Sequence, residues 1–363
     1  MNQDNSGLSL IKKGKKGFLS LIFSRLGLIL ILLIIQILMM VAIFIWFEEF
    51  LPHIYGAAIV FSVGMVLYLL NSQIDPTAKI TWLVVIMLLP VFGALLFLYT
   101  QRDIGHRALK AKAAQRVSES KDAIVQDPQV FGALEAEAPG VAGLARYITR
   151  SGCFPVYQNS QVTYFPLGED KFAEMLQQLR SAEHFIFMEY FIINEGLMWG
   201  QVLEILAQKA AQGVDVRVMY DGTCELSTLP HDYPERLQKL GIRCKMFAPL
   251  SPFVSTHYNS RDHRKILVID GHTAFTGGVN LADEYINRRE RFGHWKDTAV
   301  MVQGDAVPSF TLMFLQMWTM DEKSRLDLGD YLSYDTCAPA QSKGYVIPYG
   351  DCPLDGDKVG EHV

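Results

Sequence analysis

Cysteine is sparse. The five residues Cys153, Cys224, Cys244, Cys337 and Cys352 form no Cys-x-x-Cys pair, which excludes a small disulfide framework and fits a reduced, cytosol-facing domain. An excess of basic residues is also missing. Lys and Arg number 33 against 38 Asp and Glu, for a net charge of −5, so bulk charge gives no reason to expect a nucleic-acid partner. Metal-ligand spacing of the His-Glu-x-x-His kind is absent, so His257, His263, His272 and His294 do not read as a metal site. No metal and no cofactor is expected. A cleavable signal peptide is lacking too: the first apolar run is too long and no small-residue cleavage site follows it.

Apolar residues, by contrast, make up half the chain. Three runs, Leu26–Phe47, Ile54–Leu70 and Ile80–Tyr99, occupy the first hundred residues. About 20 apolar residues span the hydrocarbon core as a helix, and none of the runs has a polar face of the kind a soluble helix needs. We expect two or three transmembrane helices, with Pro90 kinking the third. Their basic flanks conflict. Lys12, Lys13, Lys15, Lys16 and Arg25 precede the first run, and Arg102, Arg107, Lys110, Lys112 and Arg116 follow the third. Both flanks favour the cytoplasm, yet three full crossings put them on opposite sides. Residues 104–124 read as a basic helix, either lying on anionic headgroups or solvated. Residues 126–143, with Pro128 and Pro139, read as a boundary or loop.

From about Arg146 strands and helices alternate. Strands are expected at 185–193, 214–220, 243–247, 266–269, 273–276 and 298–302, and helices at 170–179, 198–211, 234–240 and 306–320. This is α/β patterning around a largely buried sheet.

The strongest chemical signal is His263-x-Lys265-x4-Asp270, followed by Gly277-Gly278-x-Asn280. The apolar run after Lys265 reads as a buried strand and Asp270-Gly271 as a turn. Side chains alternate along a strand, so His263 and Lys265 share one face. Asp270 is an odd number of residues from both, which assigns it structural support within the motif. A neutral imidazole is a nucleophile that a phosphodiester anion does not repel, and it can carry a covalent phosphoryl group. Lys265 would neutralise the non-bridging oxygens. Gly277 and Gly278 leave room for phosphate near backbone N–H groups, and Asn280 adds a neutral donor. Glu189 interrupts the apolar run around it; it either faces the site as a substrate-binding residue or pairs with an Arg. Asp221, at a strand end, is a weaker candidate whose plainer reading is a turn.

The segment resembles the phospholipase D superfamily motif. Its flanks, NSRDHRKILVIDG, AFTGGVNLADEY, HWKDTAV and FLQMW, resemble bacterial cardiolipin synthases, as does TWLVVIMLLPVFGALLFLYTQRD near the N-terminus. The resemblance implies a mixed sheet flanked by helices. It implies a phosphatidyltransferase that makes cardiolipin and glycerol from two phosphatidylglycerol molecules through a phospho-histidine. Asp297 matches the acid that fixes the tautomer of the nucleophilic His. Family enzymes carry two such motifs, whereas this chain holds a single His-x-Lys-x4-Asp. The phrase Pro166–Glu174 recurs loosely as Pro353–Glu361, as though a second repeat begins there. The expected divisions are a membrane anchor over 1–101, a basic helix and linker over 102–145, the motif-bearing domain over 146–340, and the start of an incomplete second repeat over 341–363. Expected partners are phosphatidylglycerol and other anionic lipids, with a homodimer or a missing repeat completing the site. The alternatives are a phospholipase D-type hydrolase and a non-catalytic protein that binds anionic lipids.

Overall fold

The computed structural model describes residues 25–46, 51–72, 76–101, 104–152, 154–249, 261–322, 328–332 and 342–351, with Ile74, Leu326 and Leu354. His257 and nearly all of the repeated C-terminal phrase lie outside the described residues. The chain packs as two compact units that divide between Arg107 and Ala108.

The first unit is helical: α1 (Arg25–Trp46), α2 (Leu51–Asn71), α3 (Pro76–Leu88) and α4 (Pro90–Gln101). Its third apolar run is two helices, not one. Pro90 has no N–H to continue the ladder, and the chain turns so sharply that a Cβ on Gly93 would lie 2.7 Å from the Val85 carbonyl oxygen. Gly93 is what permits this approach. Met65, Leu69, Ile86, Ala94 and Phe97 then bury together from α2, α3 and α4. Among the described side chains, which run unbroken only over 30–42 in α1 and 55–71 in α2, no helical stretch is long and apolar enough to cross a membrane.

The second unit begins within α5 (Ile104–Glu119), the expected basic helix. Part of it is neither solvated nor available to headgroups. Arg116 is buried and donates to the carbonyls of Thr319 and Glu322, while Lys110 and Lys112 stay exposed. The region read as a loop is helical: α6 (Pro128–Glu137) and α7 (Pro139–Gly152). Each proline opens a helix, where its missing N–H costs nothing, and Asp127 caps α6 by accepting from Gln129 N at 2.7 Å.

One seven-stranded mixed sheet follows. Its strands are β1 (Ser160–Phe165), β2 (Phe185–Tyr190), β3 (Asp215–Asp221), β4 (Arg243–Phe247), β5 (Lys265–Ile269), β6 (Thr273–Gly277) and β7 (Ala299–Gly304), in the order β1-β7-β6-β5-β2-β3-β4. β2, β3 and β4 run parallel, and the other neighbours are antiparallel. Helices α8 (Gly168–Ser181) and α9 (Leu197–Ala211) supply one core and α12 (Val307–Trp318) the other. Two short helices, α10 (Cys224–Ser227) and α11 (Tyr233–Gln238), lie between β3 and β4. Strand β2 is buried along its whole length. Ile186, Met188 and Tyr190 enter the first core, and Phe185 and Phe187 the second, which is why its sequence is apolar without alternation. Strand β1, on the edge with four of its six residues off the core, had no such signal.

Candidate active site

His263 stands two residues before Lys265, which opens β5, the strand beside β2 near the middle of the sheet. Its side chain is exposed and its ring lies 4.6 Å from that of Phe191. Lys265, the first residue of β5, is buried. Its Nζ reaches His263 Nδ1 at 3.2 Å and donates to the His263 carbonyl at 2.5 Å. The two side chains are thus brought together on one face, as strand alternation requires. Both line a cavity of about 400 Å³ with Thr276, Gly277 and Tyr349. Burial and then the Lys265 charge push the His263 imidazole below its ordinary value, which favours the neutral ring. Burial also lowers the Lys265 amine to about 8, with the charges of Asp262 and Asp297 acting against the drop.

The loop entering β5 is fixed by Asp221. Its carboxylate accepts from Thr223 N at 2.8 Å and from Asp262 N at 3.1 Å. It is the turn residue anticipated, and it also anchors the chain next to His263.

Asp270 lies at the far end of β5. Its carboxylate accepts from the backbone N–H groups of Glu183, His184 and Phe185 at 2.7, 2.8 and 2.7 Å. It therefore joins the β5–β6 turn to the start of β2, at the other end of the strand from His263 and Lys265, despite its place in the motif. Asp270 itself has φ +49°.

Of the two roles open to Glu189, the structure shows the pairing with an arginine. It is fully buried, and Arg264 Nε donates to it at 2.6 Å. Burial raises its carboxyl well above the ordinary range, against the opposing pull of Arg264. Asn280, expected as a free donor, is 2 % exposed. Its Oδ1 accepts from Ile192 N at 3.0 Å and its Nδ2 donates to the Tyr285 hydroxyl at 2.9 Å. The amide holds the loop after β6 against the chain after β2, because a buried amide must find partners.

The two glycines are needed for close packing. At Gly277 (φ +145°) a Cβ would lie 2.4 Å from the Thr298 carbonyl, and at Gly278 it would lie 1.8 Å from Asp297 Oδ1. Asp297 accepts from Thr298 N at 2.9 Å. Among the described residues it makes no hydrogen bond with His263, whose Nδ1 meets Lys265. Gly278→Ala must displace the Asp297 carboxylate. It is expected to lower stability by about 1–3 kcal/mol, read as a lower midpoint in denaturant unfolding; an unchanged midpoint would mean the carboxylate has room to move.

Residues 294–296 repeat the His-x-Lys spacing without the distant Asp. His294 and Lys296 lie on the loop before β7 with both side chains exposed, so no strand holds them as a pair. Among the described residues no group of three or more His, Cys, Asp or Glu is placed to hold a metal ion. Sequence reasoning missed Arg261, Asp262 and Arg264. Their signal was there, since three charges flank His263 directly ahead of an apolar strand.

The family model described as cardiolipin synthase, PLD-like domain matches residues 175–318, and one described as phospholipase D-nuclease N-terminal matches 60–102. A protein of Streptococcus mutans is 55% identical over 301 residues, covering 83% of this chain and 65% of its own. A cardiolipin synthase of Geobacillus kaustophilus is 36% identical over 275 residues, covering 75% of this chain and 54% of its own. Among solved structures, phosphatidylserine synthase of Haemophilus influenzae is 17% identical at a TM-score of 0.37, covering 52% of this chain and 46% of its own. The family rests on the sequence matches. The chain belongs to the phospholipase D superfamily. Within it, this is a cardiolipin synthase-like member. It spans about half the length of the cardiolipin synthases it matches.

Proposed function

We propose that the chain carries one catalytic motif of a membrane phosphatidyltransferase of the cardiolipin synthase type. The observation that carries this reading is the exposed His263 imidazole with the Lys265 ammonium 3.2 Å from it, both lining one cavity. His263 attacks the phosphorus of one phosphatidylglycerol; an N–P bond forms and the P–O bond to glycerol breaks. Lys265 holds charge on the non-bridging oxygens. A phosphate between the two residues draws the ammonium to its own oxygens and frees Nδ1, and Asp297 then fixes the tautomer that attacks. The hydroxyl of a second phosphatidylglycerol then forms a new P–O bond as the N–P bond breaks, its proton passing to the group that protonated the glycerol, and cardiolipin leaves. Expelling glycerol needs a proton, which in this reading comes from a second motif, on a further repeat or a second copy.

Lipid substrates fit the first unit. Away from the core that α2, α3 and α4 share, its helices expose large apolar side chains, Leu38 at 62%, Val60 at 73% and Met87 at 74% among them, and such surfaces call for lipid. In this reading α1 and α2 cross the bilayer. At 1.5 Å per residue, α3 and α4 reach only about 20 Å each, short of the roughly 30 Å core. A third run that enters and returns leaves both basic flanks on the cytoplasmic side, together with the motif-bearing unit, and removes the conflict between them.

The test is phosphatidylglycerol labelled with ³²P at the phosphate, incubated with the full chain in membranes and quenched with alkali. Label on protein that is stable to alkali and lost in acid is expected, with labelled cardiolipin as product. Labelled phosphatidic acid instead identifies water as the acceptor, and anionic-lipid binding with no covalent label at any time rules out transfer.

A further inference from the structure

Arg261 differs from the other cations around the cavity. Lys265 is engaged with His263, and Arg264 is held by Glu189 and Asp262. Arg261 also lines the cavity, and its side chain is only 10% exposed. Its Nη1 donates to the Ala248 carbonyl at 2.9 Å and faces Asp221 at 3.5 Å. Its Nε and Nη2 are buried with no partner among the described residues. Two buried acceptors close in sequence or space, Asp262 Oδ2 and Glu189 Oε2, are also unpartnered, and no hydrogen bond joins either to Arg261.

Buried donors on a charged group are costly when unpaired. Two adjacent guanidinium N–H groups form a planar fork, and the ligand that matches it is an oxyanion with two oxygens. We propose that Arg261 is an anion-binding residue of this site, taking two oxygens of a phosphate group. The proposal deepens the phosphatidyl-transfer reading and rests on it for the source of the phosphate. That reaction brings two phosphodiesters to one cavity that Asp351 also lines. Lys265 neutralises one of them; Arg261 supplies the second cation.

The experiment uses the full chain in detergent, with inorganic phosphate as the probe and sodium chloride at equal ionic strength as the control. Phosphate should raise the thermal midpoint of the parent. Arg261→Lys keeps the charge and the reach to Ala248 but loses the fork. It should unfold near the parent's phosphate-free midpoint, lose most of the phosphate-induced rise, and bind phosphate about tenfold more weakly. Arg261→Met should lose the rise entirely. Displacement of labelled phosphate by phosphatidylcholine vesicles containing phosphatidylglycerol, but not by phosphatidylcholine alone, assigns the site to a lipid headgroup; no displacement by either assigns it to free phosphate. Equal phosphate binding by parent and both variants overturns the proposal, as does a parent that binds no phosphate. If phosphate binding depends on Arg261 while no lipid ever joins His263, the transfer reading falls and the anion site stands. Covalent labelling with no Arg261-dependent binding leaves the transfer reading in place and removes the anion site.

Discussion

Replacing His263 with alanine is expected to erase covalent labelling by phosphatidylglycerol and to cut any turnover at least about a thousandfold, the scale on which removing a nucleophile acts. The fold should hardly respond. The side chain is exposed, and exposed substitutions usually stay within about 0.5 kcal/mol. Catalysis and stability are therefore separable at this position, which makes the variant a clean test. The parent's pH profile offers a second test of the same assignment. The His263 imidazole is held below its ordinary value, first by burial and then by the Lys265 charge, which favours the neutral ring that attack requires. The Lys265 amine, lowered to about 8 by burial, is still mostly charged at neutral pH. Labelling should be level around neutrality and fall as pH rises through about 8, where the ammonium loses its proton. Labelling that survives His263→Ala, or that rises steadily past pH 9, would remove His263 and Lys265 from these roles.

Much of this site was legible in the sequence because strand periodicity is simple. Alternation along β5 sets His263 and Lys265 on one face and separates Asp270 from both, and the structure holds Asp270 on backbone N–H groups at the other end. Periodicity does not tell which partner a buried polar group takes. Glu189 could face a ligand or an arginine, and only the fold brings Arg264, 75 positions away, to within 2.6 Å. Asn280 read as a donor because one partner, Ile192, lies 88 positions away and the other, Tyr285, turns back onto it through a short 3-10 helix. The prolines at 128 and 139 read as breaks since a proline that opens a helix and one that ends it look alike without the cap. The free fork of Arg261 could not be foreseen: a sequence identifies a guanidinium but not how many of its N–H groups the fold leaves unused.

Lys171→Met is expected to stabilise the second unit, by about 2 kcal/mol or more at pH 7. Lys171 lies on α8 and is 2% exposed. Its Nζ meets the Tyr190 hydroxyl at 3.0 Å and Met175 Sδ at 3.2 Å, and lies 5.1 Å from the centre of the Tyr190 ring. No carboxylate pairs with it among the described residues. Burial lowers its amine from the ordinary 10.5 to about 7. The unfolded chain keeps that proton up to about pH 10.5, whereas the folded chain releases it above about 7. Between those values the unfolded state binds more protons, so stability rises with pH, by up to about 1.4 kcal/mol per pH unit. Below about 7 both states are protonated and the folded chain bears the whole penalty, on the order of 4 kcal/mol. Methionine removes it at similar volume and gives up one hydrogen bond worth about 1 kcal/mol, which sets the net gain. Urea unfolding at pH 7 and pH 9 decides the matter: the parent should gain stability between the two and the variant should not. A variant that is less stable than the parent and keeps the parent's pH slope would mean the amine is paired in solution. Tyr190 stands opposite Lys265 across β2 and β5, so this buried amine braces the strand that pairs with β5, and the stability gained by removing it is expected to come with a looser setting for His263 and Lys265.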